Sequence, residues 1–562
     1  MIQTSSLWTK VKKRADYYYY CFCLMSTTTN NDIRKDDDND ETPWYLVRPS
    51  SFNTTTTIHI DGRTGEGGGQ ILRNAMAYAT LLQHPDVHIN HIRGGRSKPG
   101  LQAQHVASIQ LPVELTALES SQQRRNPSIE NSNNNDDATA VLTGDTVGSM
   151  EIRYRPLSTN TTKAIEEEES TTHNPDQGTS PSSPWIVEKD IGTAGSICLL
   201  LQASLPSALL VARHRPVQLI LKGGTNATFA PQYDYWQYVF LPMLQHCCRV
   251  SPHHIRGHVV RRGYFPRGGG IVDVHVQPLV SALPAFDLTH RGTRLASLYI
   301  RAFHAGRIPR RVAHDMAAAA KMCLQQQHSS LGQSMMIRDE TNKEDDNNTQ
   351  CNLQVDIVTE TNAVGNGWGI LIVATTDTGC KLAGSALGST TRSRNNHSPT
   401  RAQAQTVGRS AAHELITAWD AGGCVDEWLQ DQLIIFMALA EGESKMLTGC
   451  LTLHTQTAIW TAQQLCPGVH FQVTKLPTTA NEMYSHRGNQ NDDEATTSNR
   501  HHPKHQSSRT VGDDPPPITS HPAPKKPKNH ERPSPSATAY GQKGLIPGRH
   551  LITCRGIGLQ PR

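Results

Sequence analysis

Nowhere do the 562 residues string together the roughly 20 apolar side chains that a membrane-crossing helix needs. A helical membrane protein is not expected. The 12 cysteines contain no CxxC pair and no regular spacing, which excludes a zinc ribbon and a thioredoxin-type redox motif. They read as thiols in a reducing, intracellular setting, with the adjacent Cys247 and Cys248 buried. No GxxxxGK[ST] loop exists, so a P-loop is excluded, and the GxGxxG dinucleotide fingerprint fails because Gln70 stands at its third glycine. Strong charge of one sign is missing as well. The 54 Lys and Arg against 50 Asp and Glu leave a net +4, which permits a nucleic-acid partner without demanding one.

Apolar residues are scarce too, at 36%. The shortfall is local. Residues 26–57 are rich in Thr, Asn and Asp. Residues 121–139 and 157–183 are runs of Ser, Thr, Asn and Glu, and 339–352 and 389–405 are shorter polar tracts. Residues 486–540 are rich in His, Pro, Lys and Ser. None can bury enough apolar surface to offset chain entropy, so they read as disordered tails and insertions on a compact core. The segment from Met1 to Ser26 lacks a small-residue cleavage site and reads as an unstructured extension. Lys525, Lys526 and Lys528 form a basic run of the nuclear-import kind.

Between these tracts the pattern is α/β. Strands are expected at 58–60, 87–92, within 141–154, and at 217–221, 258–260 and 270–278. Helices are expected at 69–83, 101–118, 195–210 and 233–247. The recurrence of strand, helix, strand, helix suggests repeated units. A second group reads as a separate small domain: strands at 295–302, 353–360 and 368–375, with helices at 312–326 and 402–422. Helices at 426–440 and 455–465 resume the first pattern, and 551–554 is a closing strand.

Several turns carry chemistry. Gly65-Glu66-Gly67-Gly68-Gly69-Gln70 precedes a helix, where glycines let backbone N–H groups approach an anion. Glu66 makes sense in such a loop if it holds a divalent cation. Arg93 and Arg96, in a basic turn, are spaced to converge on one anion, and Arg73 could join them. Gln104 and His105 start the next helix beside that turn. Gln202 is polar in an apolar helix and needs a partner. Arg262 to Gly270 is a basic glycine-rich loop that reads as a hairpin or as a surface for single-stranded RNA. His253, His254 and His258 lack a Cys or carboxylate at ligand spacing, so they make no metal site. His454 sits among short polar residues after an apolar run, placed as a nucleophile, an acid/base group or a satisfied core histidine.

Taken in order, these pieces resemble the RNA 3′-terminal phosphate cyclase family. The matching stretches are 65–73, 92–105, 193–202, 221–235, 262–270, 426–440, 453–458 and 554–559. Lys222 to Ala227, Leu429 to Gln432 and Leu453 to Ala458 look closest to the animal-type cyclases. The resemblance implies an α/β fold of the α+β type. Its large domain has three repeated units of two helices on a four-stranded sheet, each similar to the C-terminal domain of translation initiation factor three. It is expected over 58–288, 422–485 and 541–562. A smaller α/β domain is expected to be inserted at 289–421.

The chemistry implied is ATP-dependent conversion of an RNA 3′-phosphate to a 2′,3′-cyclic phosphate, through a histidine–AMP and then an RNA-adenylate intermediate. His454 matches the nucleophile and Glu66 the metal-side carboxylate for Mg2+ or Mn2+. Gln202, Pro231, Trp428, Asp431 and Gln432 match the nucleotide site. Arg73, Arg93, Arg96, Gln104 and His105 match the RNA-phosphate side. Trp428 departs from the tyrosine of animal relatives, keeping a ring to stack on adenine and losing a phenol hydrogen bond. The partner implied is RNA with a 3′-phosphate end, with no stable protein partner, and the compartment is the nucleus, with the cytoplasm as the alternative. The main rival is a cyclase-like ribosome-assembly protein lacking the catalytic histidine. Retention of His454, Glu66 and the Asp431-Gln432 pair argues against it. Enolpyruvyl transferases fit the motif order poorly.

Overall fold

The computed structural model describes residues 42–49, 57–123, 141–156, 183–211, 215–326, 331–332, 334, 351–389, 398–477 and 544–561. Residues 1–41 and 50–56 of the expected N-terminal extension, most of the polar tracts, and 486–540 with Lys525 lie outside the described residues. Within 26–57 the disorder reading is corrected at 42–49: Trp44–Leu46 form a 3-10 turn, because Tyr45 is buried and the Tyr45 and Val47 carbonyls accept from Gln463 and Gln464. At 389–405 the sequence reading is corrected. A helix starts at Arg401, because Thr400 and Gln403 form a reciprocal capping box that stops the polar tract there.

The first unit holds β1 (Ile58–Asp61), α1 (Gly69–Leu82), β2 (Val87–Asn90), α2 (Ala103–Gln123), β3 (Val141–Thr143) and β4 (Ile152–Arg155). Its sheet runs β1-β2-β4-β3, with β1 parallel to β2 and the other neighbours antiparallel. The second unit repeats this with β5 (Trp185–Asp190), α3 (Ile197–Leu210), β6 (Val217–Gly223), α4 (Leu241–Cys248), β7 (Ile255–Gly263) and β8 (Gly270–Val276). Its order is β5-β6-β8-β7, with the same directions.

The third unit opens with the two-residue β9 (Asp287–Leu288) and is then interrupted. The inserted layer holds β10 (Leu295–Ala305), α5 (Arg310–Leu324), β11 (Asn352–Glu360), β12 (Ala363–Val364), β13 (Gly367–Thr376), β14 (Lys381–Leu387) and α6 (Arg401–Asp420). Its sheet runs β11-β10-β13-β14, while β12 joins the edge of the second unit beside β7. The third unit resumes with α7 (Leu429–Leu439), β15 (Glu443–Thr448), α8 (Leu453–Leu465), β16 (His470–Lys475) and β17 (His550–Arg555). The order β9-β15-β17-β16 again has the first pair parallel and the rest antiparallel.

Sequence alternation explains the layers. In β6 and β8 every second residue is buried, so one face of the sheet packs on helices and the other meets water. The helices behave differently: α1, α3 and α7 are apolar around most of their circumference. Helix α1 packs against α2, α3 and α8, and α7 packs against α8, so helices from all three units share one core. Strand β13 is buried on both faces. Leu371 and Val373 join that shared core, whereas Ile370, Ile372 and Ala374 pack in the core of the inserted layer. The Cys247 and Cys248 thiols are buried as expected.

The Arg262 loop is a hairpin turn between β7 and β8. Arg262 is not offered to solvent. It pairs with buried Asp234 at 2.6 Å and Glu360 at 3.1 Å, and Arg301 of β10 meets the same Asp234 at 2.9 Å. These charges fasten the inserted layer to the second unit.

Candidate active site

Helix α8 starts at Thr452, whose hydroxyl accepts from the Thr455 N–H at 3.1 Å. Gln430 of α7 accepts from the Thr452 N–H at 3.2 Å and from the Thr455 hydroxyl at 2.8 Å, so the two helix starts are tied together. His454 stands in this first turn, half-buried, where the helix end favours negative charge.

The Nδ1 atom of His454 lies 2.6 Å from Gln70 Oε1, and Gln70 Nε2 donates to Asp431 Oδ2 at 2.7 Å. A carboxylate accepts only, so the amide nitrogen of Gln70 faces Asp431 and its oxygen faces the imidazole. The imidazole must then donate from Nδ1, which leaves the lone pair of the neutral ring on Nε2. Asp431 also accepts from Gln202 Nε2 at 3.5 Å, and Gln202 Oε1 accepts from Arg73 Nε at 2.8 Å. Gln202 thus has the partners that its burial requires. Burial pushes the Asp431 carboxyl up, and His454 leads the groups that pull it back.

The glycine loop passes beside α8. The Glu66 N–H donates to Thr457 Oγ1 at 2.9 Å, one turn beyond His454. Glu66 Oε1 pairs with Arg96, which also donates to the Glu66 carbonyl at 2.7 Å. Glu66 Oε2 is buried with no hydrogen-bond partner among the described residues. An orphaned carboxylate oxygen fits a divalent cation that takes its other ligands from phosphate and water. Among the described residues no group of three His, Cys, Asp or Glu could cage a metal alone. Glu66 would therefore be one ligand among several.

Arg73, Arg93, Arg96 and His105 lie within electrostatic reach of one another, but not as three free forks. Arg93 turns back onto the carbonyls of Lys98 at 2.7 Å and Gly100 at 2.8 Å, bracing its own loop. Arg96 is engaged with Glu66. Buried Arg73 converges with His105 over the start of α1, where a Cβ on Gly69 would lie 2.8 Å from each. His105 Nδ1 accepts from the Gln102 N–H at 3.0 Å, so its proton sits on Nε2. Burial, helped by the three arginines, pushes His105 down to about 3, leaving a neutral donor. Gln104 Oε1 accepts from the Ser196 N–H at 3.3 Å, joining α2 to the start of α3.

At the start of α7, the Trp428 indole N–H donates to Glu414 of α6 at 2.7 Å. Gln432 donates to the Trp428 carbonyl at 2.5 Å, so it serves its own helix. Asp426 accepts from the Tyr235 hydroxyl at 2.6 Å, the Leu429 N–H at 2.9 Å and the Ala383 N–H at 2.9 Å. It joins the second unit, the third unit and the inserted layer. Pro231, half-buried ahead of Tyr233, takes no part in these bonds. Sequence reading missed Gln70, Thr457, Glu414 and Asp426 as site groups. Only Asp426 had a local signal, a carboxylate three residues ahead of an apolar helix.

A family model described as RNA 3′-terminal phosphate cyclase matches residues 64–130 and 136–473. The chain belongs to the RNA 3′-terminal phosphate cyclase family. A probable RNA 3′-terminal phosphate cyclase of Dictyostelium discoideum is 34% identical over 425 residues, covering 74% of this chain and 78% of the relative. The RNA 3′-terminal phosphate cyclase of Drosophila melanogaster is 34% identical over 421 residues, covering 75% and 93%. That of Staphylothermus marinus is 32% identical over 410 residues, covering 73% and 92%. The cyclase-family match takes in Glu66, Asp431 and His454 and leaves Trp44–Leu46 outside.

Proposed function

We propose that this chain uses ATP to convert an RNA 3′-terminal phosphate into a 2′,3′-cyclic phosphate, through AMP carried on His454. Family membership supports the cyclase activity and ATP as co-substrate. The relay from Asp431 through Gln70 to His454 carries the finer reading, because it turns a lone histidine into an oriented nucleophile.

In the first step the Nε2 lone pair attacks the α-phosphorus of ATP. The N–P bond forms as the bond from that phosphorus to the bridging oxygen breaks, and pyrophosphate leaves. The ring becomes a cation that keeps its Nδ1–H, which Gln70 and Asp431 stabilise. Trp428 offers a ring for adenine, while Gln202, Pro231 and Gln432 complete that side. A divalent ion, Mg2+ or Mn2+, on Glu66 would neutralise phosphate charge.

In the second step an oxygen of the RNA 3′-phosphate attacks the same phosphorus, and the N–P bond breaks. Arg73 and the neutral His105 face the anion, while Arg93, Arg96 and Gln104 hold the surrounding loops. In the third step the vicinal 2′-oxygen attacks the RNA phosphorus, its proton is lost, and AMP leaves. A phosphate end requires no base-edge readout, so we expect broad sequence tolerance. We also propose nuclear residence and the domain bounds 58–288, 289–421, 422–485 and 541–562.

The test mixes the protein with α-labelled ATP and a divalent ion, without RNA, on a denaturing gel. Acid-labile label that disappears in His454→Ala is the expected result. Absence of label in a folded protein that still binds RNA would favour the non-catalytic scaffold instead.

A further inference from the structure

We propose that Trp44 is a stacking platform for a base near the 3′ end of the bound RNA, a contact supplied by a segment outside the cyclase-family match. The inference rests on the RNA reading of this site. Residues Trp44–Leu46 form one 3-10 turn, and the family match begins at residue 64. The turn is anchored on α8, the helix that carries His454. Gln463 Nε2 donates to the Tyr45 carbonyl at 3.0 Å and Gln464 Nε2 donates to the Val47 carbonyl at 2.9 Å. Tyr45 is buried, and its ring meets the Trp44 ring edge to face at 5.8 Å.

Trp44 is held at both ends of this turn and still is 38% exposed. Its ring lies against the glycine loop: a Cβ on Gly65 would be 2.7 Å from Trp44 Cη2 and 2.4 Å from Thr457 Oγ1. Thr457 holds the Glu66 N–H, and it sits about 4.5 Å along the axis from His454. Arg96 bonds the carbonyls of Glu66 and Gly67 on this same loop, at 2.7 and 3.5 Å. The glycine loop is therefore fastened by Arg96 and Thr457 and backs an exposed indole, a fixed ring face of the kind on which a base stacks. Adenine has a separate ring in Trp428, fixed by Glu414 on α6. A rigid aromatic face binds any base by stacking, so the contact suits a substrate recognised by its end and not by its sequence.

The experiment measures binding of a fluorescent single-stranded RNA with a 3′-phosphate, without ATP. A matched RNA lacks the bases of its last two nucleotides. Trp44→Ala should weaken binding of the intact RNA by about 5- to 150-fold. It should also erase the preference for intact over abasic RNA, while Trp44→Phe keeps most of both. Wild-type binding by Trp44→Ala, or an equal loss on abasic RNA, overturns the proposal. So does a parallel fall in AMP labelling without RNA, because that would make the ring a support for the loop. Binding is read without ATP, so failure of the histidine–AMP route shows as missing label and leaves the base dependence of binding intact.

Discussion

Replacing Gln70 with Ala removes the only link between His454 Nδ1 and Asp431 that the described residues provide. Two bonds are lost together, one of them to a half-buried carboxylate. Among the described residues Asp431 then keeps the 3.5 Å bond from Gln202 as its one side-chain hydrogen bond. A hydrogen bond to a charged group contributes about 1.5–3 kcal/mol. In the proposed mechanism the relay acts on the ring as it gains positive charge, so the loss would fall mainly on the barrier. The expected slowing of AMP labelling is about 10- to 150-fold. The assay is single-turnover labelling with α-labelled ATP over a range of ATP concentrations. The maximal rate should fall, while the concentration for half-maximal rate changes little because the bonds from Gln70 to His454 and Asp431 orient the imidazole and do not touch the Trp428 ring. Wild-type labelling by Gln70→Ala would refute the relay. A rise in half-saturating ATP at an unchanged maximal rate would instead place Gln70 in nucleotide binding.

Three further outcomes follow from buried charges. Burial pushes Glu414 up to about 7 and Asp426 up to about 6, so the folded protein holds their protons more tightly than the unfolded chain does. Stability should fall as pH rises from roughly 4.5 towards 7, and Glu414→Gln should flatten part of that fall in thermal melts. An unchanged profile would remove Glu414 as a cause. His105 is displaced the other way, from 6.5 to about 3. Its folded form resists protonation, so its contribution weakens as pH drops below about 6.5, and its imidazole NMR shifts should stay flat between pH 8 and 5. A titration near 6.5 would contradict its assignment as a neutral donor. Asp234→Ala leaves Arg262 and Arg301 buried with Glu360 as their remaining carboxylate. The expected cost is about 3–5 kcal/mol in urea unfolding, and a loss under about 1 kcal/mol would refute the clamp.

The repeated units were legible because their helices are long and apolar, as in α1 and α3. Strands β9 and β12 have two residues each, too short for any period to register. Strand β14 reads Lys381-Leu382-Ala383-Gly384-Ser385-Ala386-Leu387, poor in β-branched residues. Its small side chains let α6 approach: a Cβ on Gly384 would lie 2.0 Å from the Ala411 carbonyl. Strand β15 hides its alternation behind polar Ser444 and Thr448, both fully buried. At the site, His454 and Glu66 were visible as residue types in suggestive turns. The Gln70–His454 bond spans 384 positions, and no local pattern encodes it. Arg93 and Arg96 looked like anion ligands from spacing alone, whereas the fold spends them on carbonyls and Glu66.

Strand β13 gives alternate side chains to two cores. A lid must part from its base along a surface that water can wet, and this seam is a shared strand of Leu371 and Val373 backed by the Asp234 clamp. Swinging the inserted layer outward would expose both. The layer is therefore fixed against the shared core, and Glu414 reaches Trp428 across that seam. Heating should then give one calorimetric transition for both parts, since neither core can melt without stripping the other of its strand.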